Sequence, residues 1–142
     1  MSALEPRQFV DTNVLIYAHD PSAGDKHLRA SALIEELWSA RTGCLSTQVL
    51  QEFYVNVTRK VARPLSPEVA AEIIAALGQW EVHRPNVEDV IEAISLQTRH
   101  KISFWDALIL TSAQRLECKT LWSEDLNPGQ DYRGVVVQNP FL

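Results

Sequence analysis

The chain has 142 residues, of which 18 are acidic and 13 are basic, and its formal net charge is −5. This length supports one domain with a sizeable hydrophobic core and leaves too little chain for two. The negative charge argues against a protein that coats nucleic acid electrostatically. It permits a nuclease, because a cluster of acidic metal ligands is itself a source of negative charge.

The sequence gives no sign of a membrane segment or of secretion. No apolar run is long enough to span a bilayer, and residues 1–7 lack the charged and apolar regions of a signal peptide. We therefore expect a cytoplasmic protein. Cys44 and Cys118 are the only cysteines, form no metal-binding pair, and are expected to be reduced thiols.

The first predicted element is a buried strand. Residues 9–17 form an apolar run interrupted by Asp11, Thr12 and Asn13, which predicts a strand that ends at Asp11 and a short helix beyond it. A carboxylate at the carboxyl end of a parallel strand lies where open α/β sheets bind their ligands. Alternatively, Asp11 is only the N-cap of the helix that follows.

The next part of the chain is predicted to form two helices around a second strand. Turn residues at 20–24 predict a loop, and residues 26–41 predict a helix that Gly43 ends. Residues 44–46 predict a strand, and the helix after it is capped by Ser46 or Thr47 and stopped by Pro64. Its expected inward-facing residues are Leu50, Phe53, Tyr54, Val57 and Val61.

Helices and short strands continue to alternate in the second half. Ser66 followed by Pro67 predicts a helix start. Asn86 with Asp89 predicts another, and we expect Val90, Ile91 and Ile94 to face inward on that helix. Further predicted elements are strands at 80–83, 120–123 and 134–137 and a helix at 103–116. This alternation implies an α/β fold with a central parallel sheet flanked by helices on both faces.

Four carboxylates fall at places that share one edge of such a sheet. Asp11 ends the first strand, and Glu52 lies in the second turn of the helix after the second strand. Asp106 lies in the first turn of a later helix, and Asp125 follows the fourth strand. Crowded carboxylates repel one another unless a cation neutralises them, and oxygen ligands suit Mg²⁺ or Mn²⁺. The pattern predicts a metal site that activates water or stabilises a phosphoryl group.

Each acid also has a purely structural explanation. Ser103 with Asp106 matches a capping box, Glu52 sits on a helix where acids are usually solvated, and Asp125 fits a turn before Pro128. Neighbouring polar residues either support the acids or bond to local backbone groups. These supporting candidates are Thr12, Asn13 and Ser123.

Two basic runs and the tryptophans are less informative. The runs at 59–63 and 99–101 each close a predicted helix, where cations favour the helix dipole, although they also suit phosphate contacts. We favour the structural explanation for both runs. The four tryptophans are expected to belong to the core or to an interface rather than to stack on bases.

Taken together, these motifs resemble PIN-domain ribonucleases of the VapC type, which are the toxins of toxin–antitoxin pairs. The resemblance spans nearly the whole chain and rests on the order and spacing of short motifs. The matching segments are residues 9–17, 50–53, 103–109, 122–127 and 134–141.

The resemblance implies one nuclease domain over residues 1–142 and an Mg²⁺- or Mn²⁺-dependent endoribonuclease that leaves a 5′-phosphate and a 3′-hydroxyl. It places the family's four acids on Asp11, Glu52, Asp106 and Asp125, as catalytic and metal-binding residues, and its hydroxyl on Ser123. It also implies an RNA substrate, a homodimer, and a small antitoxin that covers the active site.

Two other functions are compatible with parts of the sequence. A phosphatase of the haloacid dehalogenase type also begins with an acid after a strand, but it uses a second Asp where this chain has Asn13. A PIN-like module that binds RNA or protein without catalysis is the remaining alternative. The presence of all four acids weighs against it.

Overall fold

The computed structural model describes residues 5–142, so residues 1–4 of the segment that we expected to lack signal-peptide features lie outside it. Six strands and six helices are present in this range. The strands are β1 Gln8–Val10, β2 Gly43–Ser46, β3 Glu81–His83, β4 Thr120–Trp122, β5 Asp131–Tyr132 and β6 Val135–Gln138. The helices are α1 Thr12–Ala18, α2 Asp25–Ala40, α3 Thr47–Arg59, α4 Pro67–Leu77, α5 Val87–His100 and α6 Phe104–Arg115.

The strands form one sheet in the order β3-β2-β1-β4-β6-β5. All neighbouring pairs are parallel except β5 with β6, which form an antiparallel pair at one edge. The chain runs outward from β1 to β3 and then returns to β4 on the other side of β1. Because such crossovers are right-handed, the return places α5 and α6 on the opposite face of the sheet from the earlier helices. The predicted α/β fold is confirmed, and only the antiparallel β5 was not anticipated.

Three predicted helix starts are confirmed, because Ser46, Ser66 and Asn86 each cap a helix through a contact three residues along the chain. Ser46 Oγ accepts from the Val49 N–H at 3.3 Å, and Ser66 Oγ accepts from the Val69 N–H at 3.2 Å. The Asn86 side chain forms a reciprocal capping box at the start of α5. These contacts satisfy backbone N–H groups that have no partner inside the helix.

The prediction that Gly43 ends α2 is wrong. The helix ends at Ala40, and Arg41 takes the left-handed conformation with φ 59°. Gly43 instead begins β2, where a Cβ atom would lie 2.8 Å from Trp80 Cδ2 and closer still to two other ring carbons. Glycine is therefore needed here because the Trp80 ring occupies the space of a side chain.

We expect Gly43→Ala to destabilise the protein by about 1–3 kcal/mol, because the added methyl group overpacks the Trp80 ring. Gly78→Ala is the matched control: its φ is −60° and its nearest contact to an added Cβ is the Ala75 carbonyl oxygen at 3.3 Å. The control should change stability by less than about 1 kcal/mol. Urea unfolding midpoints measure both effects, and equal midpoints for the two variants would contradict the packing explanation.

The buried face of α5 differs from the prediction. Val90, Ile91 and Ile94 are 38%, 61% and 51% exposed, whereas Ala93 and Leu96 are buried. The physical reason is Asp89, which faces inward in place of the larger apolar residues. Its carboxylate contacts His83 Nε2 and Arg115 Nε and so turns the opposite side of α5 to solvent.

Helix α3 also departs from its expected pattern. It ends at Arg59, well before Pro64, and Tyr54 is 38% exposed rather than inward-facing. Phe53 and Val57 are buried as predicted. The side of α3 that carries Gln48 is instead turned towards the carboxyl edge of the sheet, where it contributes to a cleft.

The core is built around β1 and α6. Phe9 and Val10 of β1 are fully buried, and so are most residues of α6 from Ala107 to Ala113. An apolar helix that is buried on nearly all sides behaves as a core helix. Within residues 5–142, no helix combines the length and apolar character that crossing a bilayer requires.

Candidate active site

A cleft of about 590 Å³ opens at the carboxyl ends of β1 and β4. The strand order reverses between these two strands, which is the position where open α/β sheets bind ligands. The residues that line it are Asp11, Thr12, Asn13, Gln48, Gln51, Glu52, Val55, Asn56, Lys60, Trp105, Asp106, Ile109 and Asp125.

Three of the four predicted acids meet in this cleft. One carboxylate oxygen from each of Asp11, Asp106 and Asp125 lies within 4.8 Å of the others. They come from the end of β1, the first turn of α6 and the segment after β4. Glu52, the fourth acid, lines the same cleft from α3 but lies outside this close group of three.

Asp11 is held firmly and is almost completely buried. Its Oδ1 accepts from the Thr12 N–H at 2.7 Å, and its Oδ2 accepts from Ser123 Oγ at 2.8 Å. The residue is therefore both the N-cap of α1 and a member of the acidic group. Burial raises the pKa of Asp11 from 3.8 to about 7, and the negative charges of Asp106 and Asp125 add to this rise against the two hydrogen bonds.

The three predicted supporting residues each contact an acid. Ser123 Oγ donates to Asp11 and also accepts from the Asp125 backbone N–H at 3.1 Å, so one hydroxyl ties two acids together. Asn13 Nδ2 donates to Asp125 Oδ2 at 3.1 Å, and Thr12 Oγ1 donates to a Glu52 carboxylate oxygen at 2.5 Å.

Gln48 is also part of the site, although its sequence context did not predict this. Its Nε2 donates to Glu52 Oε2 at 3.2 Å and to the Trp105 carbonyl oxygen at 3.2 Å. This amide therefore fixes Glu52 and also joins α3 to the start of α6. The available signal was its position one helical turn before Glu52, since residues four apart share a helix face.

Asp106 forms only part of the capping box that its sequence pattern suggests. Its backbone N–H donates to Ser103 Oγ at 3.0 Å. No reciprocal bond from its carboxylate to the Ser103 N–H occurs in the part of the chain that the structure describes. Burial raises the pKa of Asp106, and the charges of Asp125 and Glu52 raise it further, against a hydrogen bond from Ser103.

A divalent cation fits this set of ligands. The group offers three carboxylate oxygens, and hard cations such as Mg²⁺ and Mn²⁺ prefer oxygen ligands. Burial, and then the charges of neighbouring acids, raise the pKa values of Asp11 and Asp106, so their charged forms are unfavourable unless a positive charge lies nearby. A bound cation supplies that charge.

Two further residues add a positive charge and an aromatic ring to the lining of the cleft. Lys60, the C-cap of α3, lines it with an exposed side chain. Trp105 also lines it and is 60% exposed, whereas Trp80 lies in the core with 9% exposure. Trp80 is therefore a core residue, as expected, whereas Trp105 lies outside the core, and its expected interface position stays a prediction.

Comparisons with known proteins agree with this architecture. The family model described as PIN domain matches residues 9–129. A search of curated proteins gives no match to this chain.

Several solved structures share the fold. The VapC20 toxin of Mycobacterium tuberculosis, which cleaves the sarcin–ricin loop, is 22% identical with a TM-score of 0.64, over 83% of this chain and 89% of that one. A toxin–antitoxin complex from Klebsiella pneumoniae is 20% identical with a TM-score of 0.67, over 94% and 97%. VapBC2 from Rickettsia felis, bound to a DNA fragment from its promoter, is 19% identical with a TM-score of 0.66, over 93% and 97%.

Proposed function

Because this chain belongs to the PIN domain family, we propose that it is an Mg²⁺- or Mn²⁺-dependent endoribonuclease that acts in the cytoplasm. The observation that carries the proposal is the group formed by Asp11, Asp106 and Asp125, whose oxygens lie within 4.8 Å of one another in an open cleft. The similarity in fold to VapC toxins supports the further proposal that the chain is the toxin of a type II toxin–antitoxin pair.

The acids would provide the ligands of a metal ion in this mechanism. Asp11, Asp106 and Asp125 would hold the cation, and Glu52 would contribute a fourth carboxylate from α3. When bound, the cation would supply a Lewis acid that lowers the pKa of water and stabilises charge on a phosphoryl group. Ser123 fixes the positions of Asp11 and Asp125 relative to each other, because its hydroxyl forms hydrogen bonds with both residues.

The reaction is hydrolysis of an RNA phosphodiester. A water oxygen forms a bond to phosphorus, the bond from phosphorus to the 3′-oxygen breaks, and that oxygen leaves with a proton as a 3′-hydroxyl. The other product carries a 5′-phosphate. The hydrogen bonds from Thr12 and Gln48 fix both Glu52 oxygens at the edge of the cleft, so Glu52 is already oriented before RNA enters.

Cleavage of a labelled, unstructured RNA tests this function. We expect cleavage with Mg²⁺ or Mn²⁺, none with EDTA, and products with 5′-phosphate ends. RNA that binds but stays intact under all metal conditions would instead support the non-catalytic binding module. Expression of the chain alone in a bacterial host, followed by RNA profiling, should give discrete cuts that are absent with the Asp106→Asn variant.

The acidic group also suits an inhibitor with a basic side chain. An Arg fork pairs with two carboxylate oxygens at once, so a small antitoxin that inserts an Arg among Asp11, Asp106 and Asp125 would neutralise the site. A complex in which the basic residues of the inhibitor lie far from Asp11 and Asp106 would contradict this arrangement.

We propose that the chain forms a homodimer through the exposed face of α5. This α5 stripe consists of Val87, Val90, Ile91 and Ile94, of which Val87 is 70% exposed and Ile91 61%. Exposed apolar patches of this kind mark interaction sites. A two-fold dimer needs a surface that complements itself, and an uncharged stripe of branched aliphatic residues satisfies this condition.

We expect Ile91→Glu to convert the dimer to a monomer, because the charge would be buried without a partner at the centre of the interface. Leu28→Glu, at a residue of α2 that is 67% exposed, is the matched control and should leave the dimer intact. Light scattering at micromolar concentration measures both. A wild-type monomer, or a dimer that survives Ile91→Glu, would contradict the α5 interface.

A further inference from the structure

We propose that Trp105 and Lys60 form a two-point site for a single RNA strand, in which a base stacks on the Trp105 ring and a phosphate pairs with Lys60. The inference rests on the proposed ribonuclease function and extends it to the residues that hold the RNA strand in the cleft.

Trp105 is exposed where the fold gives it no reason to be. It lies in the first turn of α6, whose residues 107–113 are all buried, yet Trp105 itself is 60% exposed. Its position is fixed on two sides. The Trp105 carbonyl oxygen accepts from Gln48, and the ring packs edge-on against Phe104 with centroids 5.1 Å apart.

A fixed and exposed aromatic ring at the edge of a nuclease cleft suits a nucleobase. Stacking of bases on aromatic side chains contributes substantially to the binding of single strands and tolerates different sequences, because every base has a π-face. Trp105 and Asp106 line the same cleft, so a base stacked on this ring would lie in the cleft that holds the acidic group. A paired base within a duplex does not offer its face in this way.

Lys60 supplies a positive charge at another part of the same cleft. It is the one cationic residue that lines the cleft within the described range, and it forms no ion pair there. Its backbone N–H donates to the Asn56 carbonyl oxygen at 2.8 Å, which anchors the residue as the C-cap of α3. Lysine is a common ligand for backbone phosphates.

Helix α3 connects the two points. Gln48, Glu52, Asn56 and Lys60 recur every four residues and all line the cleft. With a rise of 1.5 Å per residue, Gln48 and Lys60 lie roughly 18 Å apart along the helix axis. Gln48 donates to the Trp105 backbone carbonyl oxygen, so the start of α6 meets α3 at the Gln48 end of this row, whereas Lys60 lies at its other end.

The charge distribution makes stacking the larger contribution. The chain carries a net charge of −5, and the cleft holds four acids against one lysine. A phosphate contact through Lys60 alone predicts a shallow salt dependence, since each neutralised phosphate of a single strand adds about −0.7 to the slope of log K against log salt. We therefore expect removal of the Trp105 ring to weaken RNA binding more than an increase in salt concentration does.

Binding is measured by fluorescence anisotropy with a short fluorescein-labelled unstructured RNA, in an Asp11→Asn background that prevents cleavage. We expect Trp105→Ala to weaken binding roughly ten-fold without changing the salt slope, and Trp105→Phe to retain most of the affinity. A duplex of the same sequence should bind more weakly than the single strand to the parent protein.

Lys60→Gln is compared with Lys101→Gln, because Lys101 is also an exposed helix C-cap, at the end of α5 and outside the cleft. Lys60→Gln should make the salt slope less negative by about 0.7, whereas Lys101→Gln should leave it unchanged. Equal slopes for the two variants would overturn the role of Lys60.

Kinetics with otherwise wild-type protein separate this inference from the proposed function. Trp105→Ala should raise KM for RNA cleavage several-fold more than it lowers kcat. If wild type cleaves RNA and Trp105→Ala has the same KM and affinity, the stacking site is overturned while the ribonuclease function stands. If wild type neither binds nor cleaves RNA, both are overturned.

Discussion

Asp11→Asn should abolish metal-dependent RNA cleavage and leave a protein that is folded and, near pH 8, more stable than wild type. The amide has the shape of the carboxylate and can still cap α1. It lacks the charge that a hard cation requires. The gain in stability follows from burial: wild-type Asp11 must keep a charge in a site that raises its pKa to about 7.

The direction of the pH effect follows from proton binding. Between pH 3.8, the ordinary pKa, and about 7, the folded state holds a proton on Asp11 that the unfolded state has released. Below this window Asp11 does not lower the free energy of unfolding. As pH rises from 3.8 to about 7, the free energy of unfolding falls, because the folded protein must release a proton from the buried carboxyl group. The full shift corresponds to roughly 4 kcal/mol as an upper limit.

The stability difference between Asp11→Asn and wild type should therefore grow from pH 5 to pH 7 and level off above it. Melting curves without metal at several pH values measure this difference, and labelled RNA with Mn²⁺ measures cleavage. Asp20→Asn, at another N-cap aspartate outside the cleft, should change neither property. Retained cleavage by Asp11→Asn would remove Asp11 from the metal site, and a difference independent of pH would contradict the burial argument.

The features that the sequence predicted correctly are those that local chemistry or topology determines. Ser46, Ser66 and Asn86 cap helices through contacts within three residues, so their effect is visible in a short segment. The convergence of Asp11 and Asp125 follows from parallel strands that end at the same edge of the sheet. Neither inference requires knowledge of side-chain packing.

The features that the sequence did not reveal depend on contacts between distant elements. Gly43 is explained by the Trp80 ring, and the role of Gln48 by the Trp105 carbonyl oxygen on another helix. The orientation of α5 depends on His83 and Arg115, which are the partners of Asp89. Hydrophobic periodicity cannot show such contacts, because a buried polar residue with good partners replaces an apolar one on the inner face.

Two aspartates with the same local pattern illustrate this difference. Asp89 and Asp106 each stand three residues after a capping residue, Asn86 and Ser103 respectively. Asp89 is buried, its Oδ2 accepts a hydrogen bond from the Asn86 backbone N–H at 2.9 Å, and its Oδ1 lies 2.8 Å from Arg115 Nε.

The pKa values of these two aspartates are therefore shifted in opposite directions. Burial alone would raise the pKa of Asp89, but the Asn86 N–H, the Arg115 guanidinium and His83 hold it below its usual value. The pKa of Asp106 is raised, because burial and neighbouring acids act on it without a cationic partner.

Asp89→Asn and Asp106→Asn should therefore have opposite effects. Without metal, Asp89→Asn should destabilise the protein by about 2–3 kcal/mol, because it leaves Arg115 and His83 without their charged partner. Asp106→Asn should leave stability unchanged or slightly higher, since it removes one of several like charges. Thermal or urea unfolding in EDTA measures both.

The stabilisation by added Mn²⁺ should instead be normal in Asp89→Asn and impaired in Asp106→Asn. At about a hundred times its dissociation constant, the metal should stabilise wild type by roughly 2.7 kcal/mol. Asp89→Asn should gain the same amount, because Asp89 lies outside the cleft, whereas Asp106→Asn should gain much less. If all three proteins respond equally to Mn²⁺, Asp106 is a helix-capping residue like Asp89, and the proposed metal site lacks a ligand from α6.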